Sequence, residues 1–253
     1  MSEDVQGPID LSGIEKITGD LICKNNSLIT DLKSTTLQSI TGAFNLNRLI
    51  GLSNLEFTKL NDVGSINWVS LNGLDTLNFG DVGVTKAKTV EISDTFLSTL
   101  KGIDLTTVED LNINNNGRLD EFESKLINLG NLFNVQANGP NLAVSLPNLV
   151  WIANMTIANV TTFSVPSLEV VNGSARFDSN YFTSFAAPNL TSTKSGDLSF
   201  VGNSALTNIS LPSMTSVGGG LLIANNTALR IVSGFPELKS VFGAVKLRGN
   251  FSS

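Results

Sequence analysis

The nonapeptide LLIANNTAL, residues 221–229, stops an apolar run at a pair of asparagines and then resumes with a leucine. Near-copies occur as LICKNNSL from 21, LNINNNGRL from 111, FNVQANGPNL from 133 and LSFVGNSAL from 198. With looser copies, eleven segments begin at residues 21, 44, 66, 90, 111, 133, 155, 175, 198, 221 and 245. A mean spacing of about 22 residues indicates a repeat architecture.

A second motif, L-x-x-V/I-x-G, lies between copies of the first and ends at Gly42, Gly173 and Gly243. In the C-terminal half a proline precedes this segment, at Pro147, Pro166, Pro188, Pro212 and Pro236. Proline fixes φ and removes a backbone donor, which favours a bend or strand start over a helix. The first motif alternates apolar and polar residues, as a half-buried strand does. We therefore predict an all-β parallel β-solenoid of about eleven coils.

The asparagines have a structural explanation in such a solenoid. Position six, counted from the first residue of each strand, is asparagine in seven coils: Asn26, Asn116, Asn138, Asn180, Asn203, Asn226 and Asn250. An inward amide at a corner can satisfy backbone groups that have left the ladder, and stacked copies can bond one another. We predict a structural asparagine ladder.

The unbroken repeat favours one domain over 1–253, with a lead-in at 1–16, repeats at 17–250 and a short end at 251–253. No apolar run reaches membrane-spanning length, and no signal peptide is recognisable. The formal charge of −6 without a Lys/Arg cluster gives no reason to expect nucleic-acid binding.

The residue composition argues against a catalytic function. Because the chain has no histidine, a Ser-His-Asp triad, histidine metal sites and a histidine-activated thiol are excluded. The one cysteine, Cys23, takes position three, which is apolar in the other coils, so we expect it buried and inert. We predict no catalytic residue, cofactor or metal.

A polysaccharide-active solenoid enzyme would need paired carboxylates. The best local candidates are Asp120, Glu121 and Glu123 in RLDEFESK. Arg118 and Lys125 flank them, and alternating charges are typical of a solvated loop. An enzyme is therefore the less favoured hypothesis.

Four segments resemble the fungal GPI-anchored cell-wall organisation family, which includes sporulation-specific and extracellular-mutant wall proteins: ITGDLICKNNSLITDL, GSINWVSLNGLDTLNF, LTTVEDLNINNNGRLDEF and LPSMTSVGGGLLIANNTAL. The repeats of that family are similar to the receptor L-domain, a leucine-rich-like, right-handed solenoid. The resemblance implies a secreted, N-glycosylated, non-catalytic cell-surface protein that supports wall organisation and integrity.

The chain departs from that family at both ends, since it begins MSEDVQGP without a signal peptide and ends RGNFSS without a stalk or anchor signal. We expect a truncated chain whose full-length parent is GPI-anchored at the cell wall, so that membrane contact needs a lipid anchor absent here. The last strand, from 245, would be an unpaired edge suited to dimer contacts.

Two other classes remain. One is a recognition module that binds a protein or glycan on its sheet, as receptor L-domains do. The other is an ice-binding solenoid, which needs a regular Thr-x-Thr ladder, whereas the outward positions two and four here are mostly amides. Ice binding is therefore disfavoured. The aromatic residues fall mainly at inward positions, which also disfavours a platform of stacked sugar rings.

Eight N-glycosylation sequons occur, at Asn25, Asn154, Asn159, Asn172, Asn189, Asn208, Asn225 and Asn250. Seven of them follow residue 150. Charge divides there too, because residues 1–150 hold 18 acidic and 10 basic side chains (−8) and residues 151–253 hold 4 and 6 (+2). Glycans would obstruct a partner on the C-terminal half.

The sequon-poor half also carries outward amides, which we call the amide stripe: Asn45, Asn47, Asn67, Asn112, Asn114, Asn134 and Gln136. We expect a cell-wall polysaccharide or a wall or surface protein to dock there. A merely soluble sheet face is the competing interpretation.

Overall fold

The structure, a computed structural model, describes residues 5–252, and within that range every helix or strand element is a β-strand. The chain forms two compact units. Unit 1 takes residues up to 124 together with 137–139, and unit 2 takes 125–136 together with the chain from 140 onward.

Unit 1 contains eleven strands of two to ten residues. They are β1 (Gly7–Asp10), β2 (Lys16–Ile17), β3 (Leu21–Lys24), β4 (Ile29–Ser34), β5 (Ser39–Asn47), β6 (Asn54–Phe57), β7 (Asp62–Leu71), β8 (Thr76–Asn78), β9 (Thr89–Thr95), β10 (Thr107–Asn114) and β11 (Glu121–Glu123).

Unit 2 contains fourteen strands, most of them shorter. They are β12 (Asn128–Gln136), β13 (Ala143–Ser145), β14 (Trp151–Ala158), β15 (Thr162–Ser164), β16 (Val170–Val171), β17 (Ala175–Asp178), β18 (Ser184–Ala186), β19 (Ser192–Thr193), β20 (Leu198–Val201), β21 (Asn208–Ser210), β22 (Ser216–Val217), β23 (Leu221–Ala224), β24 (Ser240–Val241) and β25 (Val245–Arg248).

The strand register places equivalent residues of successive repeats side by side. In unit 1 the first residues of five repeats pair in order, all in parallel: Leu21, Phe44, Ile66, Val90 and Leu111. In unit 2 six more do the same: Phe133, Met155, Ala175, Leu198, Leu221 and Val245. These eleven are the predicted repeat starts, so the prediction of a parallel β-solenoid of about eleven coils is confirmed.

Each coil has additional faces. The second motif forms two-residue strands in unit 2, where β16, β19, β22 and β24 pair in that order. A further parallel ladder runs through β1, β4, β6 and β8 in unit 1. The counterparts of that ladder in unit 2 are the pairs β13–β15 and β18–β21. Strands and bends thus close each coil without a helix, as the proline positions indicated.

The predicted lead-in at 1–16 is built into the ladder from Gly7 onward. Strand β1 pairs with β4, and β2 pairs with β5. Residues 1–4, and Ser253 of the predicted short end, lie outside the described part of the chain. The assignment of 1–253 to one domain stays a prediction.

Inward side chains pack into an apolar core with aromatic clusters in each unit. In unit 1 the Trp68 ring meets Phe44 edge-on at 5.5 Å and stacks on Phe79 at 6.0 Å between centroids. In unit 2 Phe177 stacks on Phe200 at 4.7 Å. Such pairs add about 0.5–1.5 kcal/mol to the free energy gained by burial.

A left-handed residue follows the fourth strand position in ten successive coils. Nine of these residues are not glycine and have φ between 53° and 61°: Asn25, Arg48, Ser70, Asp94, Asn115, Ala137, Asn159, Ser179 and Asn225. The tenth is Gly202, at φ 67°. This conformation is uncommon outside glycine and asparagine. It ends the strand and turns the chain, so that the residue at position six points into the coil.

The asparagine at position six is the hub of the corner in unit 2. Asn203 Oδ1 accepts hydrogen bonds from the backbone N–H and the side-chain amide of Asn180, at 2.8 and 2.9 Å. Its own Nδ2 donates to the Phe177 carbonyl at 2.9 Å and to Asn226 Oδ1 at 3.0 Å. The amide is fully buried, and both of its ends are satisfied by neighbouring coils.

The same pattern recurs in unit 1. Asn116 donates through its backbone N–H and Nδ2 to Asn138 Oδ1, each at 3.1 Å, and Asn138 Nδ2 donates to the Ile113 carbonyl at 2.9 Å. Thr95, at position six of the preceding coil, donates its hydroxyl to Asn116 Oδ1 at 2.7 Å. A threonine can therefore take the end of an asparagine ladder, which the repeat pattern did not predict.

The two outermost predicted ladder residues behave differently. Asn26 Oδ1 accepts from the N–H groups of Leu28 and Ile29, while Nδ2 donates to the Val5 carbonyl at 2.8 Å. Asn250 is exposed, and its backbone carbonyl, rather than its amide, accepts a hydrogen bond from Arg230 at 3.3 Å. Asn26 thus closes its own turn, and the prediction that Asn250 belongs to the ladder is wrong because no later coil covers that corner within residues 5–252.

The motif glycines are required because the coils approach too closely there for a side chain. A Cβ on Gly42 would lie 2.7 Å from the Gly19 carbonyl carbon, and one on Gly243 would lie 2.7 Å from the Gly220 nitrogen. Gly64 takes the same place in the coil after Gly42, where a Cβ would press on the carbonyl of Thr41. Backbone alone fills the space at Gly64 and Gly243, whereas at Gly42 the Asp20 side chain lies there as well.

We predict that Gly64→Ala destabilises the chain by about 1–3 kcal/mol, because the added methyl group meets backbone of the preceding coil. Gly117→Ala is the matched control, since a Cβ there has open space around it. We expect a change of no more than about 1 kcal/mol for the control. Urea unfolding of both variants checks this, and equal stability would contradict the packing argument.

We also predict that Asn203→Ala costs about 2–4 kcal/mol, because it leaves the buried Asn180 N–H and the Phe177 carbonyl without partners. The exposed Asn148 supplies the control Asn148→Ala, which should be nearly neutral. Thermal unfolding of the two variants measures the difference. A near-neutral Asn203→Ala would show that the ladder contributes no stability.

Candidate functional site

The amide stripe of unit 1 lies on the outward face of β5, β7 and β10. Asn45 pairs with Asn67, and Asn67 pairs with Glu91, which in turn pairs with Asn112. In the parallel row, Asn47 and Asn114 are separated by Val69 and Ser93. The register therefore brings the predicted amides of this unit onto one face, with Glu91 as a charged member that the sequence pattern of amides did not include.

The amides are only half-exposed, and two of them are incompletely satisfied. The Oδ1 atoms of Asn45 and Asn67 are shielded from solvent and accept no hydrogen bond from the described residues. Asn114 Nδ2, in contrast, donates to Asn112 Oδ1 at 3.1 Å. Unsatisfied shielded groups cost stability, and the Nε1 of the fully buried Trp68 is a third such atom in this unit.

A shallow depression of about 190 Å³ borders the stripe. Its polar lining includes Ser65, Asn67, Thr89, Glu91 and Asn112. The lining offers amides, hydroxyls and the carboxylates of Glu91 and Asp110, which together can both donate and accept hydrogen bonds. That set suits a polar partner.

Unit 2 carries the two remaining stripe residues on β12. Asn134 is half-buried and pairs with Thr156 of β14, whereas Gln136 is exposed. Beyond β12 the outward position two changes from an amide to threonine, arginine, serine and leucine in successive coils. The stripe thus belongs mainly to unit 1.

The sequon asparagines are accessible to different degrees. Six are exposed: Asn25, Asn172, Asn189, Asn208, Asn225 and Asn250. Asn154 and Asn159 are half-buried, and the Asn154 amide bonds backbone at both ends, to the Ser174 N–H and the Asn131 carbonyl. No sequon lies on the stripe strands β5, β7 and β10.

The candidate acidic residues lie on the surface of unit 1. Asp120, Glu121 and Glu123 are all exposed. The neighbouring Arg118 places its guanidinium 4.2 Å from the centre of the Phe96 ring, in a cation–π contact. Within residues 5–252 no group of three or more Cys, Asp or Glu side chains is arranged to hold a metal ion.

Cys23 is fully buried in β3 and makes no disulfide. Burial raises the pKa of the Cys23 thiol above its usual value, so the nucleophilic thiolate is disfavoured. The predicted inward position is confirmed, and the side chain packs as a small apolar residue.

A feature that the sequence did not predict lies on the outward face of unit 2. A groove of about 670 Å³ crosses β17, β20, β23 and β25. Charged and polar side chains line it, among them Arg176, Asp178, Asp197, Ser199 and Lys246. Burial raises the pKa of the Asp178 carboxyl, and the charge of Arg176 partly offsets that rise. Only the spatial stacking of four coils brings these residues together.

The chain has several fungal relatives. It is 41% identical over 254 residues to the "Cell surface GPI-anchored protein" of Arthroderma benhamiae, covering 100% of this chain and 65% of the relative. It is 41% identical to "Protein ecm33" of Aspergillus fumigatus, over 88% of this chain and 56% of the relative. It is 34% identical to "Sporulation-specific protein 2" of Saccharomyces cerevisiae, over 96% of this chain and 48% of the relative. The chain belongs to this family of fungal cell-surface proteins.

Other members are named as cell-wall proteins, so the predicted family and its cell-surface or cell-wall localisation are confirmed. The three relatives described above do not carry enzyme names. The chain spans about half to two-thirds of their length. No protein-family model and no solved structure matches the chain. Residues 5–252 include no helix long and apolar enough to cross a membrane.

We predict that a water-soluble thiol reagent labels native Cys23 at least about a hundredfold more slowly than the urea-unfolded chain, because the thiol is buried and protonated near neutral pH. Stopped-time labelling followed by mass spectrometry measures both rates. Comparable rates would show that β3 opens readily or that Cys23 faces outward.

Proposed function

We propose that this chain is a non-catalytic solenoid of a fungal cell-surface protein and that it supports wall organisation by docking a wall partner on the amide stripe. The relatives support the cell-surface role, and their names include GPI-anchored proteins. A lipid anchor of the complete protein is part of the proposal.

The observation that carries the docking surface is the register of unit 1, which aligns Asn45, Asn67 and Asn112 with Glu91 across neighbouring strands. The side chains of Asn45, Asn67 and Asn112 are half-exposed, so part of each amide is accessible to a partner at this face. No sequon lies on β5, β7 or β10, and the sequon at Asn25 lies beside the Asn47 end of the face. A wall polysaccharide or a wall protein would bond these amides.

The alternative is a receptor-like recognition module that binds a soluble protein or glycan on the same face. It uses the same side chains, so the two functions differ in the partner and not in the surface. Binding of a soluble ligand by the purified chain, without any effect on wall resistance, would favour the receptor-like function.

A glycan placed on the stripe tests the proposal. Asn47→Thr creates an Asn-x-Thr sequon at Asn45, and Asn114→Thr creates one at Asn112. A glycan is bulky enough to block docking. In a strain that carries the full-length variant as its only copy, we expect resistance to a wall-perturbing dye to fall to that of a strain lacking the protein.

The matched control is Glu56→Thr, which creates a sequon at Asn54 on β6, a different ladder of the same unit. Mass spectrometry establishes glycan occupancy, and surface labelling establishes display. The control should keep wild-type resistance. Wild-type resistance in a displayed variant that is glycosylated at Asn45 or Asn112 would reject the stripe as the docking surface.

A further inference from the structure

The groove of unit 2 is built by four stacked outward strand faces. Arg176 and Asp178 come from β17, Ser199 from β20, Leu222 from β23 and Lys246 from β25. Gly219, Gly220 and Gly243 line one side of the groove. They carry no side chain that would fill the groove, and an added Cβ there would lie close to atoms of a neighbouring coil. The space of about 670 Å³ lies within the range of ligand-binding pockets.

The polar groups of this groove have unused hydrogen-bonding capacity. Within residues 5–252, the side chains of Arg176, Asp178 and Ser199 take part in none of the hydrogen bonds or ion pairs of the protein. Asp197 uses one carboxylate oxygen to accept the Gly220 N–H at 2.7 Å and keeps the other. Asp178 is half-buried and Ser199 is largely buried, but their unbonded oxygens are not among the solvent-shielded atoms of the described chain, so a ligand in the groove can reach them.

The charges of the groove identify the ligand class. Two cations, Arg176 and Lys246, face two carboxylates, Asp178 and Asp197, so the formal charge of the lining is zero. A strongly anionic or cationic ligand would meet as much repulsion as attraction. Hydroxyl groups both donate and accept hydrogen bonds, and they can therefore satisfy carboxylates and cations at once.

Apolar surface completes the set. Val201 and Leu222 are half-buried between the charged residues and also line the groove. The C–H face of a sugar ring can pack on such side chains while the ring hydroxyls reach the polar groups. Among the described residues, none that lines the groove is aromatic. Packing of a sugar ring on Val201 and Leu222 does not require an aromatic side chain.

We propose that this groove is a binding site for a neutral saccharide, held by Arg176, Asp178 and Asp197 and packed against Leu222. It is a second surface, in unit 2, where the expected N-glycans would obstruct a large partner, so the ligand proposed is a short saccharide. It does not depend on docking at the amide stripe of unit 1. Failure of one surface in its test leaves the other unaffected.

The experiment uses the full chain, secreted by a fungal host and then trimmed of N-glycans so that no attached sugar occupies the groove. Isothermal titration tests three neutral probes, a β-1,3-glucan hexasaccharide, a mannan hexasaccharide and a chitin hexasaccharide, and one sulfated oligosaccharide as an anionic probe. We expect at least one neutral probe to bind and the sulfated probe not to bind more tightly.

Arg176→Gln and Asp178→Asn should each weaken that binding about ten- to a hundredfold, because each removes a charge-assisted hydrogen bond. Glu237→Gln and Lys239→Ala change the same kinds of group at exposed positions outside the groove lining, and they should bind as wild type. Circular dichroism and melting temperature establish that all four variants fold.

Three results would overturn the proposal. One is no binding of the neutral probes at millimolar concentration. Another is binding that folded Arg176→Gln and Asp178→Asn leave unchanged. The third is tighter binding of the sulfated probe that depends on Arg176 but not on Asp178, which would identify an anion site.

Discussion

The fold depends on the exchange of hydrogen bonds between buried amides one strand spacing apart. Asn203 satisfies the Asn180 N–H and the Phe177 carbonyl, and Asn226 of the next coil in turn satisfies the Asn203 N–H. An isolated buried amide would be left with unsatisfied groups, which cost about 1–3 kcal/mol each. The corner is therefore stable only as a stack, and that requirement selects a repeating chain.

The repeat made most of the fold predictable. The eleven repeat starts from Leu21 to Val245 followed from counting apolar and asparagine positions, because a parallel stack converts a sequence period directly into register. The left-handed residue at position five was not predictable, since Arg48, Ser70 and Ala137 carry no local signal for positive φ. The surrounding coils impose that conformation, and a single-residue preference does not reveal it.

The two candidate surfaces also differ in how far the sequence could predict them. The amide stripe of unit 1 could be predicted because its members share one residue type at one repeat position. The groove of unit 2 could not, because Arg176, Asp178, Asp197 and Lys246 have different chemistry and are separated by up to three coils. Stacking makes them neighbours, while the glycines that allow close coil contact leave the space beside them open.

A solenoid of this kind separates the requirements of folding from those of binding. Inward positions such as Trp68 and Cys23 are fixed by packing, and position six is fixed by the amide ladder in the coils where asparagine occupies it. Outward strand positions have no comparable role in the core, so their residues can vary without loss of the stack. At Asn45 and Asn67 in unit 1 the shielded side-chain oxygens stay unbonded, which reduces stability with no gain inside the fold. The outward strand positions are therefore where this fold leaves side chains available to a partner, as we propose for the amide stripe and for the groove.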